Sequence, residues 1–379
     1  MRILHIRSRF DPLSDTIAIA QLVRAFGAGV SHDVVAETPL SPVAAHRLRE
    51  RGGADREIGF PDAFPALAGP PLPGRLQQLG AAMRGYDLVL THGWGTIDAV
   101  LAHTLFGQML GLPPLVHHED RLDPVEATKP SRRRAWYRRV ALGRTSAVIV
   151  PSARLEALAL GSWQQAAARV RRIAPGADIA TLAAKPRADA LPRLIKRKGE
   201  LWLGVAGDLV PESRHRALVI LLDTLPEHWQ LVILGEGPES GPIREEALAR
   251  EVAHRVHLPG GTVDPVTALG LCDLLLEAGI GEPAPALLAA AMAAGLAVIA
   301  PETGDAAEML APENRALLSP PGNEPALFTV LVSLAGDMAA RRALGTANRL
   351  RASAHYDAAV TTAAQRAVYA AALGRETFP

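Results

Sequence analysis

Cysteine is almost absent from this chain: Cys272 stands alone among 379 residues. A single thiol cannot form an intrachain disulfide and cannot by itself build a zinc site. Its place beside an apolar run predicts a buried structural thiol. Aromatic residues are scarce, 4% against a hydrophobic fraction of 49%, and the balance is that of a globular protein. Neither sign of charge is in excess. Forty basic and 39 acidic residues leave a net charge of +1, which argues against a global nucleic-acid surface while permitting a local basic patch. Long apolar runs are missing too. The longest uncharged stretch, residues 283–301, is interrupted by proline and by Gly295, so it reads as a helix and a strand rather than a membrane span. Residues 2–6, RILHI, read as a strand and not as a signal sequence, giving the expectation of a cytoplasmic protein. No G-x-G-x-x-G follows that strand, which argues against a nicotinamide dehydrogenase. No short internal repeat is visible.

What is present is alternation. Strand-like runs at 3–6, 34–37, 88–91, 115–118 and 147–151 are separated by helical patterns such as 16–26, 97–110 and 132–142. The Pro-rich residues 60–73 read as a long loop. A second series has strands at 201–206, 230–234, 256–258, 274–276 and 297–300, and helical patterns at 325–334, 339–352 and 358–373 follow. Strands alternating with helices predict parallel sheets covered on both faces. The basic, Pro-containing residues 185–200 read as a linker, so the expected division is 1–184, a linker at 185–200, and 201–357.

The stretch from Asp273 to Glu308 organises the rest. A buried parallel strand, 274–276, leads into a Gly/Pro-rich loop carrying one acid, Glu282. Pro285 suits the first turn of a helix and Gly295 its C-terminal cap. Residues 286–294 between them are all Ala, Leu and Met, and a helix apolar on every face is a buried one. Residues 296–300 form the next strand, and a further helix brings Glu308 into its first turns.

Asp273, Glu282, the run Ala291-Met292-Ala293-Ala294-Gly295, Val298-Ile299-Ala300, Gly304 and Glu308 resemble, without a gap, the donor half of retaining GT-B glycosyltransferases of the large fourth family. Its members carry a Glu-x7-Glu pair in "EGFPxxxxEAMAxGxPVVA". The second glutamate of that pair falls on Ala290 here. The resemblance implies an α/β GT-B fold of two Rossmann-like domains facing a cleft, with the last helix, 358–373, crossing back onto the first domain. It implies a nucleotide sugar as substrate, with no metal or other cofactor.

In open parallel sheets ligands sit at the carboxyl ends of strands, so the loops there are the candidate site. Where relatives place a Gly-Gly pair after the first strand, this chain has Ser14 and Asp15. Asp15 suits a helix N-terminus but would repel phosphate. His92-Gly93-Trp94-Gly95 is a tight turn; Trp94 either stacks on an acceptor or pins the loop. At the next strand end, HHED stands where relatives read "H-x-E-H-G". The histidine that meets the donor sugar in relatives corresponds to Asp120. Alternation points His118 and Asp120 to one side, so either serves the transferred sugar or the fold. RIAPGAD, residues 172–178, replaces "IPNGVD". Gly207 to Arg216 is the counterpart of "GRLVPEKG", with Asp208 and Ser213 at the positions of the Arg and Lys that meet the diphosphate. Arg214, His215 and Arg216 either substitute for these or face water. Gly235 and Gly237 belong to a "GxGP" turn.

Between Lys129 and Arg144 lie seven basic residues with Trp136 and Tyr137. They spread around the helix, which suits a solvated face; the alternative is peripheral docking on anionic lipid at the inner membrane face. The resulting assignment is Glu282, His118 and Asp120 as catalytic; Ser14, Asp15, Gly207, Ser213, Arg214, Gly235, Gly237, Ala290 and Glu308 as donor-binding; Trp94 and Gly95 on the acceptor side. The function expected is sugar transfer from a nucleotide donor to a glycan or lipid-linked acceptor. Two other readings stay open. One is a non-catalytic paralogue that scaffolds or regulates an active transferase. The other is a sugar-nucleotide epimerase, which would need a fuller acid/base set.

Overall fold

The computed structural model describes all residues except 9, 11–13, 28, 38–39, 41, 54–56, 62, 123–125, 127–128, 190, 192, 208, 261–264, 278–284 and 379. The chain divides into two compact units. The first contains Met1–Phe10, Asp15–Ala174 and Val360–Pro379, and the second contains Asp11–Ser14 and Pro175–Ala359.

The first unit is built on a seven-stranded sheet. Its strands are β1 Arg2–Arg7, β2 Ser31–Ala36, β3 Ile58–Gly59, β4 Leu88–His92, β5 Leu115–His118, β6 Ala147–Val150 and β7 Val170–Arg172. They pair in the order β3-β2-β1-β4-β5-β6-β7, each pair parallel. The second unit has β8 Leu201–Ala206, β9 Trp229–Leu234, β10 Val256–His257, β11 Leu274–Leu276 and β12 Ala297–Ile299. Their order is β10-β9-β8-β11-β12, again parallel throughout. Central strands are buried end to end, as parallel strands covered on both faces must be.

Beyond the expected strands, the structure adds β3 and β7, of two and three residues. Residues 185–200 are not a free connector. Lys196 Nζ lies 2.5 Å from Asp273 Oδ2 and 2.6 Å from the Leu271 carbonyl, and the same Asp273 oxygen accepts from the Trp202 amide at 2.8 Å. Asp273 thus ties this segment to the start of β8, and the second unit begins at Pro175. The C-terminal residues from Val360 group with the first unit. Tyr369 on the helix Ala358–Ala372 reaches His118 Nε2 at 2.9 Å.

β12 is the last strand of its sheet and would expose unpaired amides there. The buried Asn314 covers them. Its Oδ1 accepts from the Val298 amide at 2.9 Å and its Nδ2 donates to the Val298 carbonyl at 2.6 Å. Asn348 in turn donates to Asn314 at 2.6 Å and to the Leu296 carbonyl at 2.8 Å.

The first unit also encloses a charged centre. Arg138, on the helix Arg132–Ala141, is fully buried. It donates to Glu119 at 2.8 Å and to both oxygens of Glu126 at 2.8 and 2.9 Å. Its guanidinium lies 4.6 Å from the Trp94 ring centroid and 4.7 Å from that of Trp163. Breaking one partner of such a set strands buried charge, at about 3–5 kcal/mol. Arg138→Met is therefore expected to lower Tm by about 10 °C, whereas Arg132→Ala, at an exposed position of the same helix, should leave it nearly unchanged. Equal, small shifts for both variants in a thermal melt would show that the buried pair contributes little.

Candidate functional site

Strand alternation decides which side chains meet at the carboxyl end of the first sheet. His117 and Glu119 turn one way. His117 Nδ1 bonds Thr91 Oγ1 at 2.9 Å, and its Nε2 lies 3.6 Å from Glu119, the partner of Arg138. His118 and Asp120 turn the other way, as alternation predicts. There they join His92 from the end of β4 and Arg7 from the end of β1. The His92 and His118 rings stack at 4.7 Å. Arg7 Nη2 approaches His92 Nδ1 at 3.1 Å, and Arg7 Nη1 lies 2.5 Å from Asp15 and 3.6 Å from Asp120. His92 Nδ1 is 3.4 Å from Asp120.

Asp120 is the member of this cluster most open to solvent, with 46% of its side chain exposed. Burial by itself would raise its pKa, but the nearness of His92 and the charge of Arg7 overcome that and hold the carboxyl well below its usual range. It is an acceptor-only group. His118 is buried, its Nε2 bonded to Tyr369, so it supports the cluster from beneath rather than meeting a ligand. His92, His118 and Asp120 bring candidate metal-ligand atoms within 4.8 Å of one another. The Arg7 guanidinium, in contact with two of the three, already supplies the positive charge there, and a divalent cation beside it would be repelled.

Trp94 is not an open stacking platform. Its ring carries Arg138 and also Arg134, at 5.0 Å, and meets Tyr137 edge-on at 5.8 Å; the loop-pinning reading prevails. Gly95 is needed for close approach, since a Cβ there would lie 2.2 Å from Ser8. Asp15 sits in the first turn of the helix Ser14–Phe26, with Ser14 its first residue, and turns its carboxylate to Arg7.

In the second unit the glycine turns come together. A Cβ on Gly235 would fall 1.9 Å from the Gly207 carbonyl, and Gly237 packs on Leu209, whose amide donates to the Glu236 carbonyl at 2.9 Å. Ser213 closes a single 3-10 turn, Pro211–Ser213. Arg214 takes the left-handed conformation, φ 54°, and pairs with Glu324. His215 is buried, and burial lowers its pKa to about 4. Arg216 is committed to Glu246 at 2.9 Å. Ala290, at the position of the family's second glutamate, is fully buried within the helix Pro285–Ala293. Glu308 is half-buried in the helix Ala306–Met309. Glu282 and Asp208 lie outside the described residues.

Sequence reading missed Arg7, His92 and Tyr369. The first two each end a strand with a polar residue, a signal that was available; nothing local marks Tyr369.

The histidines form a buried series: His5 bonds His32 at 2.9 Å and stacks near His92 at 6.2 Å. Burial lowers the pKa of His32 to about 4; burial, then the charge of Arg7, lowers that of His92 to about 4. His5 and His118 are pushed down in the same way. An unfolded histidine titrates near 6.5, so the unfolded chain takes up protons that the folded unit refuses. Stability is accordingly full above pH 6.5 and falls as pH drops toward 4, by about 1.4 kcal/mol per pH unit for each refused proton. Melts between pH 7 and 4.5 should show a steep loss in the native protein and a shallower one in His32→Asn; parallel slopes would show that these rings are not held neutral.

Residues 17–181 match the family model described as Glycosyltransferase Family 4, and residues 200–337 match that described as Glycosyl transferases group 1. A GDP-mannose-dependent alpha-mannosyltransferase of Mycolicibacterium smegmatis is 27% identical over 299 residues, 76% of this chain and 74% of that one. Its counterpart from Mycobacterium tuberculosis is 24% identical over 304 residues, covering 77% and 76%. Among solved structures, Anabaena HepE in complex with UDP superposes with a TM-score of 0.73 at 17% identity, covering 98% of this chain and 100% of that one. Sucrose-phosphate synthase from Thermosynechococcus elongatus gives 0.68 at 19%, covering 99% and 100%. Two parallel sheets flanked by helices, the glycine turns of the second unit and these matches agree: the chain belongs to the GT-B glycosyltransferases of the fourth-family type.

Proposed function

We propose that this chain transfers a hexosyl group from a nucleoside-diphosphate sugar to a glycan or lipid-linked acceptor. Asp120 carries the reading. It is an ionised, solvent-reachable carboxylate at the end of β5, where the family resemblance puts the residue that meets the transferred sugar. A carboxylate there accepts hydrogen bonds from sugar hydroxyls. The mycobacterial relatives are named for GDP-mannose, and HepE has been solved with UDP-glucose, so these two donor classes come first. Purified protein with a lipid-linked acceptor is expected to release the nucleotide and extend the acceptor. Asp120→Asn should lower kcat/KM by roughly 10²-fold, the loss of a charged hydrogen bond of about 1.5–3 kcal/mol. Absence of nucleotide release and of transfer with both donors would favour a second reading, a non-catalytic scaffold. That reading is supported by the burial of Ala290, where relatives carry a glutamate.

A lipid-linked acceptor suits a membrane surface. On the helix Arg132–Ala141, Arg132, Arg133, Trp136, Arg139 and Val140 are exposed, while Arg138 and Ala141 are buried. Trp136 is 61% exposed, and on the neighbouring helix Ile97–Leu110 Leu105 and Met109 are 55% and 64% exposed. Cations beside unpartnered apolar side chains suit an anionic bilayer, at about 1 kcal/mol per basic residue. No described helix is long and apolar enough to cross a membrane. Flotation with anionic vesicles should recover the protein, and zwitterionic vesicles should not. Arg132→Ala with Arg133→Ala should weaken binding by about 30-fold; equal recovery on both vesicle types would sink the assignment.

A further inference from the structure

We infer that Arg7 is the positioning residue for Asp120, and that Asp15 and His92 are the struts that hold its guanidinium in place; the inference rests on the transferase reading above. Arg7 is the last residue of β1 and is buried. One planar fork reaches residues from three other segments. Nη1 lies 2.5 Å from Asp15, at the start of the helix Ser14–Phe26, and 3.6 Å from Asp120, after β5; Nη2 lies 3.1 Å from His92, at the end of β4. A guanidinium presents its donors in a fixed geometry, so holding Asp15 and His92 fixes where Nη1, the nitrogen that Asp15 also contacts, faces Asp120. A lysine at this position would offer a point charge on a flexible stem and could not keep all three contacts.

The arrangement also explains an acid where relatives keep glycines. Asp15 is almost wholly buried, and beside Arg7 it balances a charge that would otherwise be stranded. With Asp15 matched to Arg7 and His92 neutral, the cluster keeps one uncompensated negative group, Asp120, at its open side. Such a site rejects phosphate and takes the neutral, hydroxyl-bearing part of a donor. Arg7 then acts on sugar recognition only through Asp120, which separates it from a residue that merely supports the fold.

The test is discrimination among monodeoxy donor analogues, using the full chain and whichever of GDP-mannose or UDP-glucose it transfers. The native protein is expected to lose about 10–100-fold in kcat/KM on the analogue lacking the hydroxyl that Asp120 accepts. Arg7→Met should reduce that discrimination to less than about threefold, and Arg7→Lys should recover only part of it. Affinity for the free nucleoside diphosphate, measured by calorimetry, should stay within about twofold of native in both variants. Should Arg7→Met fail to fold, Arg7→Met with Asp15→Asn removes both buried charges together and gives the same readout. An Arg7 variant that keeps native discrimination overturns the inference. So does one that weakens every donor and the free nucleotide alike, because that is a structural role. Native protein that transfers neither donor sinks the transferase reading itself, and this inference with it.

Discussion

The carboxyl end of β5 is held between two guanidinium groups, and the chemistry of the first unit follows from that. Strand alternation sends Glu119 to one side, where the buried Arg138 binds it together with Glu126, against Trp163 and the partly buried Trp94. It sends Asp120 to the other side, where Arg7 and His92 meet it. Two adjacent acids therefore have opposite fates. Glu119 is wholly removed from water and matched in charge. Asp120 keeps access to solvent and stays unmatched once Asp15 has taken its share of Arg7. The pleat of a single strand separates a stabilising carboxylate from a binding one, and a one-residue slip in β5 would exchange them.

The neutral histidines belong to the same economy of charge. His5, His32, His92 and His118 pack under the polar cluster with lowered pKa values. Were they protonated, further positive charge would be added beside that of Arg7 near Asp120. Neutral rings supply volume and single hydrogen bonds, such as His118 to Tyr369, without competing for the acids.

Much of the architecture was legible because parallel strands buried on both faces leave unbroken apolar runs. Residues 201–206 and 274–276 could be placed to the residue for this reason, and the uncharged helix after Pro285 is as buried as its composition requires. β3 and β7 escaped notice because two or three residues carry no periodicity. Arg138 escaped for a different reason. Among the basic residues from Lys129 to Arg144 its environment depends on Glu119 and Glu126, acids that lie 19 and 12 positions away. The site was half legible. Asp120 and Asp15 were found through family register, but the residue joining them, Arg7, is 85 positions from His92, and only the sheet order β1-β4-β5 brings them together.

Tyr369 stands 251 positions beyond the histidine it bonds, and the segment around it fills the same core as Phe26, Leu88 and Val116. A ribosome delivers chains from the amino end, and domains usually fold as they emerge. Here the unit synthesised first is completed last, after the whole second unit has left the exit tunnel. Until those residues arrive, a hydrophobic seat in the older half of the nascent protein stands uncovered, a vulnerability to chaperone capture or proteolysis.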